Sequence, residues 1–341
     1  MKKYDKHSSS IAGFARSCLL IALCFAFVNV IAQSKAAKDT AAVTSAGKKK
    51  TSLKKADKVQ GTATTPDTTA AAPAGKKKSY VKNTFEGNFI IDNQTVMVPI
   101  KGTFEFDIQH RFGTVNNGFS DLFGLFQGAN MKLGFSYTPV SNLQVGFDAT
   151  NENMEVDLNL KYAILKQTKD GSMPLSVTYF GNAMADTRKK DANTVFVTVS
   201  DRFAYFNQII IARKFSDKFS LQVAPSYTHF NDLLGYQDAA GNVKPIFNND
   251  NFSIAASGRY KISDESSIIV NYDQPLTQNP ANNPRPNISF GIDMRTSGHD
   301  FQIFFGNYSS LMPENNNLFN QNDYRKGQFL IGFNISRLWN F

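Results

Sequence analysis

Residues 103–112 read T-F-E-F-D-I-Q-H-R-F, and their side chains sort by parity. Phe104, Phe106, Ile108 and Phe112 fall on one face; Glu105, Asp107, Gln109 and Arg111 fall on the other. A period of two belongs to a β-strand whose faces meet different surroundings, and it excludes an amphipathic helix, whose apolar positions recur every three or four residues. The last fourteen residues repeat the pattern. Phe329, Ile331, Phe333, Ile335, Trp339 and Phe341 face one way, while Gln328, Gly332, Asn334, Ser336 and Asn340 face the other. Between these two stretches the same alternation returns, giving twelve segments near 102–112, 129–139, 143–150, 154–167, 175–187, 201–215, 219–231, 251–262, 267–276, 287–297, 299–309 and 328–340.

Alternation alone does not say what covers the apolar face, because a β-sandwich buries it and a membrane barrel turns it to lipid. Three features together favour lipid. Short joins at 138–142, 168–174, 216–218, 263–266 and 297–300 alternate with longer polar connections, with 150–153 a short join where a long one is expected. Short turns at one end and long loops at the other mark outer-membrane barrels. Several segments reach ten residues or more, enough to cross a bilayer at a tilt, whereas sandwich strands average about six. Aromatics also gather at segment ends. Tyr137, Tyr162, Phe215, Phe219, Tyr260 and Trp339 lie near the short joins, and Phe112, Phe203, Tyr205 and Tyr227 near the long ones. Amphipathic rings favour the headgroup boundary, so the first set is expected to form an aromatic girdle.

An open sheet in hydrocarbon leaves N–H and C=O groups unpaired along its edges at several kcal/mol each. The expected fold is therefore all-β: a closed transmembrane antiparallel up-and-down β-barrel of about twelve strands over 102–341. An even count puts both ends of the sheet on the short-join side. The chain ends on Phe341 directly after an alternating strand, and a terminal aromatic in that position resembles the signal read by barrel-assembly machinery.

The composition agrees with this frame. The chain has 341 residues, 30 of them Phe, only 19% charged, and a mean hydropathy of −0.30. That hydropathy excludes a polytopic helical membrane protein, which needs several apolar runs of about 20 residues. The formal net charge of +9 is unevenly placed. Residues 33–80 hold eleven Lys and three Asp, whereas 81–341 hold 22 basic and 24 acidic residues. The folding part is weakly acidic, which removes the electrostatic case for a nucleic-acid partner.

Residues 1–32 match an export signal, with a basic start, the apolar stretch 17–31, and predicted cleavage after Ala32. Both cysteines, Cys18 and Cys24, lie inside it, and Leu23 disfavours a lipoprotein reading on Cys24. The exported chain then has no thiol for disulfides, metal ligation or nucleophilic chemistry. Residues 33–80, rich in Ala, Thr and Lys with AGKKK at 46–50 and again at 74–78, are read as a disordered periplasmic linker. Its Lys runs are either a solvated spacer or a contact with anionic cell-wall polymer. Residues 81–101, including FEGNFIIDNQTVMVP at 85–99, are expected to form a short β segment in the periplasm, with two extra barrel strands as the alternative.

The stretches QHRFG (109–113), DLFGLF (121–126), MKLGFSYTPVSNLQVGF (131–147), NLKYAILKQT (159–168) and PLSVTYFGN (174–182) resemble an uncharacterised β-barrel family of Bacteroidetes outer membranes, known as a domain of unknown function. The resemblance spans roughly 84–341. It implies an outer-membrane barrel and brings no catalytic residue, cofactor or metal.

The inward register carries Glu105, Asp107, Arg111, Lys132, Asp148, Glu155, Asp157, Lys161, Arg259, Lys261, Asp273, Asp293 and Arg295. These are the expected lumen-lining residues: either a mixed-charge water path with local selectivity or a salt-bridged filling of a narrow barrel. Arg337 falls on the lipid register near the last turn, where its long side chain can reach the interface. The cluster Ser297, His299 and Asp300 offers triad residue types, but neighbours so close in sequence rarely achieve triad geometry and the segment reads as a hairpin turn. His110 and His229 are read as interfacial hydrogen-bonding groups. Glu314–Asn317 and Asn248–Asn251 are oxygen-rich but match no calcium loop, and are expected as exterior surface. The expected function is passage or gating of a small polar solute across the outer membrane of a Gram-negative bacterium, without enzymatic activity, cofactor or metal. The alternatives are a closed barrel tethering that membrane to the cell wall and, less favoured, an outer-membrane hydrolase.

Overall fold

The structure is a computed structural model that describes residues 79–190 and 196–341. The expected signal peptide and residues 33–78 of the expected linker lie outside the described residues. Two short strands come first, β1 (Phe89–Ile90) and β2 (Asn93–Gln94). Seven long ones follow: β3 (Thr103–Thr114), β4 (Asn130–Val140), β5 (Leu143–Thr150), β6 (Glu155–Leu165), β7 (Ser176–Asp186), β8 (Phe203–Lys214) and β9 (Phe219–Phe230). A small hairpin, β10 (Gly235–Gln237) and β11 (Val243–Pro245), stands in the next loop. Then come β12 (Asp250–Lys261), β13 (Ser266–Pro275), β14 (Asn287–Arg295), β15 (His299–Gly306) and β16 (Leu330–Asn340). A two-turn helix, α1 (Pro313–Phe319), lies between β15 and β16.

Strands β3–β9 and β12–β16 form one closed antiparallel barrel of twelve. Each pairs with its sequence neighbour, and β16 pairs with β3 to close the seam. The strand count and closure expected from alternation are found, with strand ends within about three residues of their predicted places. The outward positions are exposed apolar side chains, among them Phe135, Phe147, Leu158, Ile254, Phe290 and Ile303, with Leu158 67% exposed. Soluble monomers seldom expose a contiguous apolar patch beyond a few hundred Å² (roughly). Here the apolar belt encircles the sheet, so the apolar face meets lipid and is not sandwiched. The long β3–β4 loop folds back on the strand end, where Gly124, with a φ of +84°, lies so close to the Gly113 and Thr114 carbonyls that no side chain fits; the loop exposes Phe119 and Phe126.

One domain expectation is corrected. Residues 81–101 do contain a hairpin, but it is not in the periplasm: it enters the barrel from the short-turn end and occupies the lumen. The chain is held at that mouth by a bridge between Tyr80 and Thr168 and by Val81 N–H donating to the Gln167 carbonyl at 2.8 Å. The physical reason lies in the inward register, which is not wholly polar. Phe180, Phe206, Ile210, Ile269 and Phe304 point inward, and Phe85, Ile90, Ile91 and Val96 pack on them in one buried cluster. Fully burying each such side chain contributes about 1.5–3 kcal/mol. A hairpin in water would leave both apolar sets wet.

Candidate functional site

The hairpin meets the barrel through side chains alone. β1 and β2 pair with each other and not with any barrel strand, so their outer backbone groups need partners from the wall. Gln302 Nε2 donates to the Phe89 carbonyl at 3.1 Å, and its Oε1 accepts from Ile91 N–H at 2.9 Å. Asn334 Nδ2 donates to the Ile91 carbonyl at 2.6 Å. Thr178 and Gln222 donate to the carbonyls of Val96 and Gln94 at 2.9 and 2.8 Å. Lys161 Nζ reaches the carbonyls of Asn88 and Met97 at 2.7 and 3.2 Å. Ile91 sits at a φ of +62°, a left-handed conformation that a β-branched residue resists at about 1–3 kcal/mol, and the Gln302 and Asn334 bonds hold it there.

Charge fastens the same hairpin. Glu86 pairs with Arg259 and, at 2.9 Å, with Arg295. Asp92 accepts from Tyr308 at 2.6 Å and from Asn271 at 3.1 Å, and Asn93 donates to Asp273 at 2.7 Å. Asn88 donates to Glu105. Arg111 donates to Asn334 at 2.9 Å and lies 4.6 Å from the centroid of the Phe304 ring.

On β3 to β6 the barrel register builds a row of acids. Asp107 on β3 stands opposite Gly134 on β4, Gly134 opposite Asp148 on β5, and Asp148 opposite Asp157 on β6. Gly134 leaves room for both carboxylates: a Cβ there would collide with Asp107 Oδ2 and lie 2.8 Å from Asp148 Oδ1, so the two side chains would have to swing aside. Lys132 Nζ is 3.2 Å from Asp148, and Asp107 and Asp157 also act on its charge.

The outer end is capped by α1. Met312 and Leu318 are buried with Met184, Ala204, Phe230 and Phe247, and Phe319 stacks edge-on against Phe230 and Phe247. Beside it lies a cavity of about 370 Å³ lined by Glu152, Asn153, Ser310, Asn315, Asn316 and Asn320, among others. The Glu152 carboxylate accepts from Ser310 at 2.6 Å; burial pushes its carboxyl above the usual range. Asn315 Nδ2 donates to both Glu155 oxygens at 3.1 and 2.9 Å. Glu314 is fully buried on this helix, and burial, then the charges of Asp157 and Glu155, push its carboxyl up to about 8. The sequence expectation that Glu314–Asn317 is exterior surface is therefore corrected: Met312 and Leu318 draw this segment inward.

Of the thirteen expected lining residues, Glu105, Asp107, Arg111, Lys132, Asp148, Glu155, Asp157, Lys161, Arg259, Asp273 and Asp293 point into the barrel. Arg295 reaches Glu86 at the short-turn mouth with its side chain 41% exposed. Lys261 is a correction: it stands on the inward register, but at the strand end, where Asp264 in the turn draws its Nζ to 3.3 Å at the rim. Glu86, Asp92, Gln302, Tyr308 and Glu314 were missed, because their partners lie far away in sequence. The inward Phe180, Phe206, Ile210, Ile269 and Phe304 were the available signal that something apolar fills the lumen.

Tyr137, Phe215, Phe219 and Tyr260 stand exposed on the outer face near the short turns, with Tyr162 and Trp339 also outward. Arg337 lies 4.9 Å over the Trp339 ring and 3.3 Å from His299 Nε2. Phe341 is exposed, its N–H donating to the Gly102 carbonyl at 3.3 Å. The Ser297, His299 and Asp300 cluster does not assemble: His299 faces out toward Arg337, and Asp300 is buried on the inner face. His110 stacks on Phe333 at 4.9 Å, and His229 bonds Asp250 at 2.8 Å.

The profile of the family described as "Membrane bound beta barrel domain (DUF5777)" matches residues 85–339. No curated protein is significantly similar in sequence. Among solved structures, the NanC porin is 10% identical with a TM-score of 0.44, covering 70% of this chain and 99% of its own. The KdgM porin is 8% identical with a TM-score of 0.38, covering 70% and 99%. The Pseudomonas putida toluene transporter TodX is 7% identical with a TM-score of 0.37, covering 72% and 91%. At that level of likeness nothing about cargo carries over to this chain.

Proposed function

The chain belongs to this family of membrane-bound β-barrel domains, and from that premise we propose that it passes or gates a small polar solute across the outer membrane, with the N-terminal hairpin as its gate. Short turns at one end, long loops at the other and an even strand count are the form of outer-membrane barrels. The observation that carries the reading is the way the hairpin is held. Its strands pair only with each other, so it can leave without breaking one strand-to-strand hydrogen bond of the barrel, and the wall it would uncover is studded with charged and amide side chains.

The same reading assigns partners. The outward belt meets outer-membrane lipid, with Tyr137, Tyr162, Phe215, Phe219, Tyr260 and Trp339 as its girdle. Phe341 addresses the barrel-assembly machinery, and the Lys-rich arm touches cell-wall polymer. No residue is assigned a catalytic role. The test is conductance in planar bilayers of the full chain and of a chain lacking residues 85–97. Rare openings of the first and sustained openings of the second support the gate. Silence from both favours a closed structural barrel.

A further inference from the structure

The described inner surface is unevenly charged. Of nine buried carboxylates, Asp186 and Asp323 pair with Arg188 and Arg325, which leaves Glu105, Glu155, Asp157, Asp273, Asp293, Asp300 and Glu314 facing four buried bases among the described residues. Three of those bases are already engaged by the hairpin: Arg259 by Glu86, Arg111 through Asn334 and Ile91, and Lys161 by backbone carbonyls. That leaves Lys132 to serve Asp107, Asp148 and Asp157 together. Outward of that row, Glu155 is met by Asn315 and Asn153, which are neutral. Glu314 stands deeper in need: it is 0% exposed, lies against Asp157 and Glu155, approaches Asn182, and neither of its oxygens has a hydrogen-bond partner among the described residues. A buried carboxyl without a partner costs about 1–3 kcal/mol, more when ionised. The cavity of about 370 Å³ beside α1 is lined by Glu152, Asn and Ser groups, and one of them, Asn315, separates it from Glu155, to which it donates.

We propose that the outer half of the lumen, from the cavity beside α1 past Glu314 and Glu155 to the Asp107–Asp148–Asp157 row, is a binding site for a small organic cation bearing ammonium groups. The proposal deepens the passage reading and rests on it for the route onward. No three acidic or histidine groups among the described residues converge on a point that could hold a bare metal ion. Carboxylates spread along a wall suit instead a molecule whose positive charges are spread too. Neighbouring strands stand about 4.8 Å apart, so the row presents Asp148 and Asp157 one strand apart and Asp107 two further on from Asp148. Ammonium N–H groups donate to such oxygens as charge-assisted bonds. Asn315 and Asn182 offer carbonyl oxygens to the same donors.

The test is calorimetric titration of the detergent-solubilised full chain with 1,4-diaminobutane, with 1,4-butanediol, succinate and calcium chloride as controls. Saturable binding of the diamine alone is expected. Because the bound ammonium ionises Glu314, binding releases a proton and tightens between pH 6 and pH 8. Glu314→Gln should weaken diamine binding at pH 8 at least tenfold and abolish that pH dependence; Asp148→Asn should weaken it while leaving the pH dependence intact. Both variants are checked as heat-modifiable folded barrels. Equal affinity for the diol, tighter binding of succinate or calcium, or an unaltered Glu314→Gln overturns the proposal. Binding in detergent needs no open barrel, so diamine binding without bilayer conductance removes only the passage reading. Conductance without diamine binding removes only this one.

Discussion

Glu86 is the one acid that ties the hairpin to two arginines, which makes Glu86→Gln the sharpest test of gating. The substitution keeps size and shape but leaves Arg259, whose side chain is 1% exposed, without its direct counter-charge. Removing one partner of a buried ion pair costs about 3–5 kcal/mol. Asp293 also acts on Arg259, and the Asn83 carbonyl accepts from it at 3.3 Å, which places the loss at the lower end. The Arg295 pair adds little, because that side chain is 41% exposed and solvent screens it. A loss of about 3 kcal/mol from the docked state raises the ratio of open to closed barrels roughly a hundredfold, at 1.4 kcal/mol per factor of ten. Single-channel recording at fixed voltage reads that ratio directly as open probability. The double variant Glu86→Gln/Arg259→Gln, which removes the stranded charge, should close part of the way back. A folded Glu86→Gln barrel with unchanged open probability would refute the idea that these ion pairs hold the gate.

Tyr308→Phe removes the 2.6 Å bond to Asp92 and leaves a buried carboxylate short of a donor, so it should weaken hairpin docking by about 1–3 kcal/mol and lengthen openings in the same recordings. A cysteine in place of Ile91, which is 0% exposed, should react with a bulky maleimide only when the hairpin leaves, and its labelling rate should rise with Glu86→Gln; equal rates in both backgrounds would count against hairpin movement. Gly134→Ala drives Asp107 and Asp148 apart, and the cation preference read from reversal potentials in a salt gradient should fall. The pH response of α1 has a definite sign. Glu314 holds its proton up to about 8 when buried, against an ordinary value of 4.5, so helix docking is at full strength below 4.5 and weakens as pH rises toward 8. The slope approaches about 1.4 kcal/mol per pH unit. Limited proteolysis of the β15–β16 connection should accordingly quicken from pH 5 to pH 8, and Glu314→Gln should flatten that trend.

The barrel was legible because strand alternation is local: Phe104 and Glu105 declare opposite faces without reference to anything distant. The charged wall was legible for the same reason, since parity alone places Asp107, Asp148 and Asp157 inside. What occupies the wall was not. Asp92 meets Tyr308 across 216 positions, and Asn334 meets Ile91 across 243, separations at which no period operates. The hairpin was legible as a hairpin, yet its location depended on which apolar surface would take it, and the inward Phe180, Phe206 and Phe304 supply that surface from strands far away in sequence. Lys261 shows the opposite failure. Its parity is right, but a strand's last residue answers to its turn, here Asp264, rather than to the sheet.

The hairpin also constrains the order in which the molecule is made. It precedes β3 in the chain and touches wall residues from β3 round to β16. Its full set of partners exists only once β16 has met β3, so a segment that stands ahead of the whole barrel in the chain is the last to be seated. A cylinder that has just sealed holds water against Phe180 and Phe304 until the hairpin enters through the short-turn mouth. Closure of the sheet thus builds the seat that its own preceding segment then fills.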